Sequence, residues 1–231
     1  MPSATLFLDV VSPWSYFALA VLKRYKPVWG LNVVLKPTFL GGVMQASGNK
    51  PPISVKNKGL WMNGSDLPLA SEFYQLPYTF PTAFPISTIH LMRVLRAVEE
   101  KYGQGEVLDR AVDVFFAAIW QPSPSLPAVE AIKPSSIPTL LQSVFPSSPD
   151  EAKAVFELST SELIKGKLKS ESEAVVEKEG AFGFPWIVIE RDDGQKRSFF
   201  GSDRFEQIAF WLGKEWRGPC PDEQGVRKAK L

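Results

Sequence analysis

The chain has 231 residues, of which 45% are hydrophobic and 22% are charged, and its formal net charge is +1 at pH 7. This length suits one large domain, or a small domain with another inserted into it. The balanced charge argues against nucleic-acid binding, and no apolar run reaches the roughly 18 residues that a membrane helix needs.

The sequence holds one cysteine, Cys220, and one histidine, His90. A single cysteine allows no internal disulfide and leads us to expect an intracellular protein, whose first residues also lack the features of a secretory or transit peptide. One cysteine and one histidine are too few ligands for a structural zinc site, which uses four. Any Ser-His or Cys-His catalytic pair would have to use His90. We expect a structural role for His90 and no functional role for Cys220.

The chain opens with a strand, a helix and a second strand. Residues 5–11 form an apolar run rich in branched and aromatic side chains, which predicts a buried strand. Ser12 and Pro13 follow as a preferred N-cap and a preferred first helical residue, and apolar residues then recur on one helical face as far as Tyr25. A second strand is predicted over residues 31–36.

The middle of the chain predicts helices. Residues 86–101 and 106–120 show helical periodicity, and residues 161–179 are polar and compatible with a helix that ends at Gly180. Residues 121–149 carry seven prolines, which indicates short helices and loops.

The end of the chain returns to strands. Residues 186–190 and 196–200 are predicted strands, joined by a hairpin turn at Asp192, Asp193 and Gly194. The sequence Gly201-Ser202-Asp203 then predicts the cap of a last helix, whose apolar face includes Phe205 and Leu212.

Together these elements match an α/β, thioredoxin-like fold with an all-helical domain inserted between its two halves. The predicted parts are a first half at residues 1–57, a helical insertion at 58–178, a second half at 179–217 and a tail at 218–231.

Four short blocks carry a resemblance to a known family. They are residues 8–15 (LDVVSPWS), 47–52 (SGNKPP), 180–185 (GAFGFP) and 200–204 (FGSDR). With these blocks, in this order and at these separations, the sequence resembles the kappa-class glutathione transferases over nearly its whole length. That class shares its fold with bacterial periplasmic disulfide oxidoreductases and with 2-hydroxychromene-2-carboxylate isomerases, and the second block favours the transferases.

Ser12 stands where a thioredoxin-fold oxidoreductase has its first cysteine, so this site holds no pair of thiols for disulfide exchange. The N-terminus of a helix presents unbonded N–H groups and partial positive charge, which stabilise a thiolate supplied by a ligand. The resemblance implies that Ser12 is catalytic and donates a hydrogen bond to the sulfur of glutathione, with Pro13 and Trp14 beside it. From spacing alone Ser12 is only a helix cap, and the two roles are compatible.

The resemblance also implies the remaining glutathione contacts. Phe184 and Pro185 match the cis-proline turn of the family, whose backbone pairs with the cysteinyl residue of glutathione. Ser202, with the amides of the next helix, is implied to hold the γ-glutamyl carboxylate, and Asp203 to hold the ammonium group. Taken without the resemblance, these two residues are an ordinary helix cap.

Two further contacts are implied in the segment before the helical insertion. Asn49 contacts the glutathione peptide, and Lys58 pairs with the glycyl carboxylate, although a solvated lysine is the simpler interpretation of Lys58. Glutathione is the expected cosubstrate, with no metal, and a small electrophile is the second substrate.

Three functions remain open at this point. A glutathione transferase, which also reduces peroxides, is the leading hypothesis. A glutathione-dependent isomerase of the 2-hydroxychromene-2-carboxylate type is the alternative, because its relatives share the Ser-Pro-x-Ser turn. A non-catalytic thioredoxin-like binding module is the third, and the retention of all four blocks argues against it.

The last three residues match a targeting signal. Ala229, Lys230 and Leu231 fit the small-basic-leucine pattern that the peroxisomal import receptor recognises at a free C-terminus. We therefore expect a peroxisomal protein, with the mitochondrion and the cytosol as alternatives. The resemblance further implies a homodimer, and we expect no nucleic-acid partner and no membrane span.

Overall fold

A mixed sheet of four strands forms the base of residues 1–221, the part of the chain that this computed structural model describes. The strands are β1 (Ser3–Leu8), β2 (Asn32–Pro37), β3 (Trp186–Glu190) and β4 (Lys196–Phe200). Their spatial order is β2-β1-β3-β4, with β1 parallel to β2 and the other two pairs antiparallel. This arrangement confirms the predicted α/β, thioredoxin-like fold, and β3 and β4 have the predicted bounds.

Eleven α-helices accompany the sheet in the described residues. They are α1 (Pro13–Trp29), α2 (Leu40–Ser47), α3 (Lys56–Trp61), α4 (Leu67–Tyr74), α5 (Ile89–Tyr102), α6 (Glu106–Trp120), α7 (Ala128–Ala131), α8 (Ile137–Val144), α9 (Pro149–Ser159), α10 (Glu162–Glu179) and α11 (Phe205–Leu212). Helix α6 has the predicted bounds. Helix α10 ends at Gly180, as the sequence predicts, and Ser161 is its N-cap. In residues 1–221, no helix combines the length and the apolar character needed to cross a membrane.

The first strand is shorter than predicted and ends at Leu8 instead of residue 11. The side chain of Asp9 accepts a hydrogen bond from the N–H of Val11 at 3.0 Å, and the N–H of Ser12 bonds to the carbonyl of Asp9 at 3.0 Å. These two bonds turn the backbone, because a local carboxylate acceptor competes with the strand ladder. The turn carries the chain directly into α1.

The core has two parts, one on each face of the sheet. Leu6 and Leu8 of β1 point into the larger cluster, which also contains α1, α5, α6 and α8. Trp186 of β3 belongs to the smaller cluster, in which Val43 of α2 and Val175 of α10 cover the opposite face. Helix α10 thus packs against the sheet as well as against α5. The predicted boundary at residue 178, between the helical insertion and the second half of the thioredoxin-like domain, stays a prediction.

The free edge of β2 is hydrogen-bonded to a side chain from the helical part of the chain, by which we mean the helices between β2 and β3. Gln104, in the connection between α5 and α6, accepts a hydrogen bond from the N–H of Leu35 at 2.8 Å. Its amide nitrogen donates to the carbonyl of Leu35 at 2.9 Å. One glutamine therefore satisfies the N–H and C=O of Leu35, a buried residue on an edge strand that has no neighbouring strand on its outer side.

Candidate functional site

Ser12 lies at the N-terminus of α1 with 4% of its surface exposed. Its hydroxyl oxygen accepts a hydrogen bond from the N–H of Ser15 at 3.1 Å, so Ser12 is the N-cap of the helix. The same hydroxyl donates to the carbonyl of Phe184 at 3.2 Å. The structure thus joins the first and third sequence blocks, which are 172 residues apart.

Phe184 lies on the segment that enters β3. The peptide bond between Phe184 and Pro185 is cis, as predicted. The N–H of Phe184 donates to no backbone group in the described residues, although the residue is 4% exposed. An unbonded backbone donor beside the Ser12 hydroxyl can pair with an extended peptide ligand.

Asn49 borders the same segment. Its amide nitrogen donates to the carbonyl of Phe182 at 2.7 Å, and its amide oxygen accepts from the N–H of Lys50 at 2.8 Å. The side chain is exposed, so part of its hydrogen-bonding capacity faces solvent. The second sequence block is therefore fixed against the third.

The fourth block reaches the site through the carbonyl of Pro185, which accepts a hydrogen bond from the N–H of Gly201 at 3.1 Å. Ser202 and Asp203 do not cap the last helix, which corrects the prediction from sequence. Helix α11 begins at Phe205, and no side chain makes a cap hydrogen bond there.

The reason for this correction lies in the turn before α11. Gly201 has φ +100°, and a Cβ atom added to it would lie 2.5 Å from the carboxylate of Asp203. That carboxylate is paired with Arg204 and its side chain is 65% exposed. Asp203 is thus folded back over Gly201, and Ser202 lies in the turn with 5% of its surface exposed.

Sequence reasoning missed two residues of the helical part that approach this turn. The hydroxyl of Tyr74 donates to the carbonyl of Ser202 at 2.7 Å. Burial raises the pKa of Asp66, and the neighbouring carboxylate of Asp203 raises it further. Two carboxylates in mutual electrostatic contact favour a bound cation, but no sequence pattern connects Asp66 with Asp203.

Asp9 is a third missed residue, and it lies beneath the Ser12 turn with no exposed surface. Besides the N–H of Val11, its carboxylate accepts from the N–H of Leu40 at 2.9 Å and from the hydroxyl of Thr88 at 2.7 Å. Burial raises its pKa from 3.8 to about 6, although these three hydrogen bonds oppose the shift. A charged residue at the end of an apolar strand was the available signal.

Ser15 is buried in the first turn of α1, and its hydroxyl oxygen has no hydrogen-bond partner in residues 1–221. It occupies the fourth position of the Ser-Pro-Trp-Ser turn. Pro13 is the first residue of α1, as predicted, and Trp14 is half-buried with its ring 6.0 Å from that of Phe17.

The remaining candidates lie elsewhere. Lys58 is exposed on α3 and forms no ion pair with the described residues. His90 lines a cavity in the helical part, and the sulfur of Cys220 lies 3.1 Å from the guanidinium of Arg24. Among residues 1–221 no three histidine, cysteine or acidic side chains lie close enough to hold a metal ion.

The fold and this turn define a thioredoxin-like protein whose reactive position carries a hydroxyl. Comparisons with known proteins agree. The model of the DSBA-like thioredoxin domain matches residues 5–212. The solved structure of a 2-hydroxychromene-2-carboxylate isomerase matches with a TM-score of 0.68 and 20% identity, over 91% of this chain and 94% of that one. At this identity the likeness shows the fold alone.

Curated relatives match over nearly their whole length, and two of them show the class. Glutathione S-transferase kappa 1 of Homo sapiens is 34% identical, with 96% of each chain covered. Glutathione S-transferase kappa 1 of Caenorhabditis elegans is 31% identical, with 100% of this chain and 99% of the relative covered. The chain therefore belongs to the DsbA-like thioredoxin family and, within it, to the kappa class of glutathione S-transferases, which confirms the resemblance.

Proposed function

We propose that the protein is a glutathione S-transferase, in which Ser12 stabilises the thiolate of glutathione for attack on a small electrophile or a peroxide. The observation that carries this proposal is the position of the Ser12 hydroxyl. It lies at the N-terminus of a 17-residue helix and within hydrogen-bond distance of the carbonyl before Pro185.

The chemistry follows from the charge at that position. A free thiol has a pKa of about 8.5, so only a few per cent is ionised at pH 7. The positive end of α1 and a hydrogen bond from Ser12 favour the thiolate, and each unit of lowered pKa corresponds to about 1.4 kcal/mol. The hydroxyl proton that points at Phe184 would turn toward the sulfur, while the oxygen keeps its bond from Ser15.

The reaction then needs no further group from the protein. With an electrophile, the thiolate forms a carbon–sulfur bond and the leaving group departs with its electron pair. With a hydroperoxide, the thiolate forms a bond to the terminal oxygen and the oxygen–oxygen bond breaks, which leaves glutathione sulfenic acid. The departing alkoxide takes a proton from solvent and becomes an alcohol. A second glutathione then reduces the resulting sulfenic acid, which gives glutathione disulfide and water.

The neighbouring residues provide a binding site for the rest of the tripeptide. We assign the backbone of Phe184 to the cysteinyl residue and Asn49 to the peptide. Asp203, with Asp66 nearby, would bind the ammonium group, because a cation relieves the repulsion between the two carboxylates. Ser202 is assigned to the γ-glutamyl carboxylate and Lys58 to the glycyl carboxylate.

Three broader features belong to the same proposal. The protein acts as a homodimer, it serves in the detoxification of reactive compounds, and it is imported into peroxisomes through Ala229, Lys230 and Leu231. These three residues lie outside the described part of the chain. The mitochondrion and the cytosol are the alternative locations. The isomerase alternative shares the Ser-Pro-x-Ser turn and the fold, but no observation favours it, or the non-catalytic alternative, over the transferase.

The test compares two serine N-caps. Ser12→Ala should raise the thiol pKa of bound glutathione, measured by ultraviolet thiolate absorbance, and lower kcat with an aryl halide, while the Kd for glutathione changes much less. Ser161→Ala is the control, because Ser161 caps α10 through a bond from Ile164 at 3.3 Å and should affect only stability. Equal thiolate titrations in Ser12→Ala and the unchanged protein would exclude the role of Ser12.

A further inference from the structure

A cavity of about 240 Å³ lies inside the helical part of the chain, apart from the residues assigned to glutathione. The apolar side of its lining consists of Pro134 just before α8, Ile137 at the start of α8 and Phe156 on α9. The polar side includes three basic side chains from α5 and α10, His90, Arg93 and Lys165. The cavity therefore has the two-sided character of a site for an amphipathic anion.

The positive charge of this cavity is not balanced within residues 1–221. Lys165 is bonded to Glu162 at 2.7 Å, which leaves that pair neutral. Arg93 is half-buried, and it forms no ion pair in the described part of the chain. Its Nε atom is buried without a hydrogen-bond partner. The hydrogen bond from Lys165 lowers the pKa of Glu162 and the charge of Arg93 lowers it further, so two cations share one carboxylate. A bound anion would offset the remaining positive charge.

His90 faces the same cavity one helical turn before Arg93. Burial lowers the pKa of His90, and the charge of Arg93 lowers it further. The charged groups near His90 are Arg93 from α5 and the pair Lys165 and Glu162 from α10, whereas α8 and α9 contribute no charged side chain to the lining. An anion placed beside Arg93 would oppose its effect on the imidazole.

We infer that this cavity is a second ligand site, which takes a small carboxylic acid in its ionised form. The carboxylate pairs with Arg93, and the apolar chain or ring packs against Ile137 and Phe156. The volume lies below the roughly 300 Å³ of the smallest typical ligand pockets, so the acid is short, such as octanoate. This site is independent of the glutathione assignment, because it uses none of the same residues.

Calorimetric titration of octanoate into the full-length protein tests the charge requirement. Octanoate should bind to the unchanged protein, Arg93→Gln should weaken binding about ten-fold, and Arg93→Lys should restore part of the loss. Arg110→Gln removes an exposed arginine of α6 and should have no effect. Octanol, which has the same chain without the charge, should bind much more weakly than octanoate.

Nuclear magnetic resonance gives a second readout that does not depend on a variant. His90 is the only histidine, so its ring signal is unambiguous. Saturating octanoate should raise the pKa of His90, and octanoate should bind more tightly at pH 6 than at pH 8, because the two effects are linked. No octanoate binding at millimolar concentration, or an unchanged His90 titration when octanoate is bound, would overturn the inference while leaving glutathione binding to be judged separately.

Discussion

At the scale of individual residues, the buried carboxylate of Asp9 supports the Ser12 turn. Its carboxylate accepts hydrogen bonds from the turn itself, from the start of α2 and from Thr88 before α5. This one buried side chain therefore connects the end of β1 with the starts of α2 and α5, directly beneath the proposed thiolate position. Because three donors converge on it, the amide of an asparagine could replace only part of this arrangement.

The titration of Asp9 gives a testable dependence on pH. Its pKa is about 6 in the folded protein, against 3.8 for an unperturbed aspartate, so the folded state takes up the proton first as pH falls. The contribution of Asp9 to stability should therefore rise between pH 7.5 and pH 4.5. The free energy of unfolding of the unchanged protein, relative to Asp9→Asn, should increase by about 2 kcal/mol over that range.

Chemical denaturation of both proteins across this range would measure the difference. Asp9→Asn serves as the reference, since it shares every other titrating group and lacks this one. A constant difference, or one that shrinks on acidification, would mean that the pKa of Asp9 is not raised in the folded state.

Asp203 offers a test of glutathione recognition. Its side chain is 65% exposed and already paired with Arg204, so solvent weakens any further ion pair that it makes. Asp203→Ala should therefore raise the Kd for glutathione by a modest factor of about five, which corresponds to about 1 kcal/mol. Calorimetry measures this loss, and Asp193→Ala, at an exposed acidic residue of the β3–β4 turn, should not show it.

If Asp203→Ala binds glutathione as tightly as the unchanged protein, the ammonium group is held elsewhere. Asp66→Asn is then the next variant to measure, since Asp66 is the other carboxylate at this turn.

At the level of secondary-structure elements, the edge of β2 depends on the connection between α5 and α6. Gln104→Ala would leave the N–H and C=O of Leu35 without partners, in a residue that is 1% exposed. The unfolding free energy should fall by about 1–3 kcal/mol. Gln207→Ala, at an exposed glutamine of α11, is the control and should change stability little.

Urea denaturation would measure both variants. A loss in Gln104→Ala no larger than in Gln207→Ala would show that water reaches the edge of β2 and replaces the glutamine.

The elements that the sequence predicted well are those with local signals. Helix α6 begins after a glycine and keeps a regular apolar face, and the β3–β4 hairpin has Asp193 and Gly194 at its turn. The buried position of Asp9 was missed because two partners of its carboxylate, Leu40 and Thr88, lie 31 and 79 residues away. Nothing in a local pattern specifies such partners.

In the site, too, features with a local sequence signal were predicted, and features that depend on distant residues were not. Ser12 could be predicted as an N-cap from its neighbours alone, but its contact with Phe184 follows only from the fold or from the family resemblance. The assignment of Ser202 and Asp203 as a cap was wrong because Gly201 bends the chain and Asp203 turns toward Arg204. Asp66 and Tyr74 join this turn from the helical part, which no spacing in the sequence indicates.

For the molecule as a whole, the cellular location of the protein can be tested independently of the reaction that it catalyses. An N-terminally tagged chain should enter peroxisomes, and the same chain without Ala229, Lys230 and Leu231 should remain in the cytosol. Fluorescence imaging with a peroxisomal marker distinguishes the two. Cytosolic or mitochondrial signal from both versions would exclude the address, while the assignment of Ser12 would stand because it uses other residues.

The pairing of β1 also has a consequence for biosynthesis. This central strand is synthesised long before its antiparallel neighbour β3, with Ser3 opposite Glu190. Contacts between such distant residues slow folding and cannot form while the chain is incomplete. Until β3 appears, Leu6 and Leu8 lack one side of their core, so the nascent chain exposes an apolar strand that molecular chaperones would bind. The sheet is therefore completed only after β3 and β4 have been synthesised.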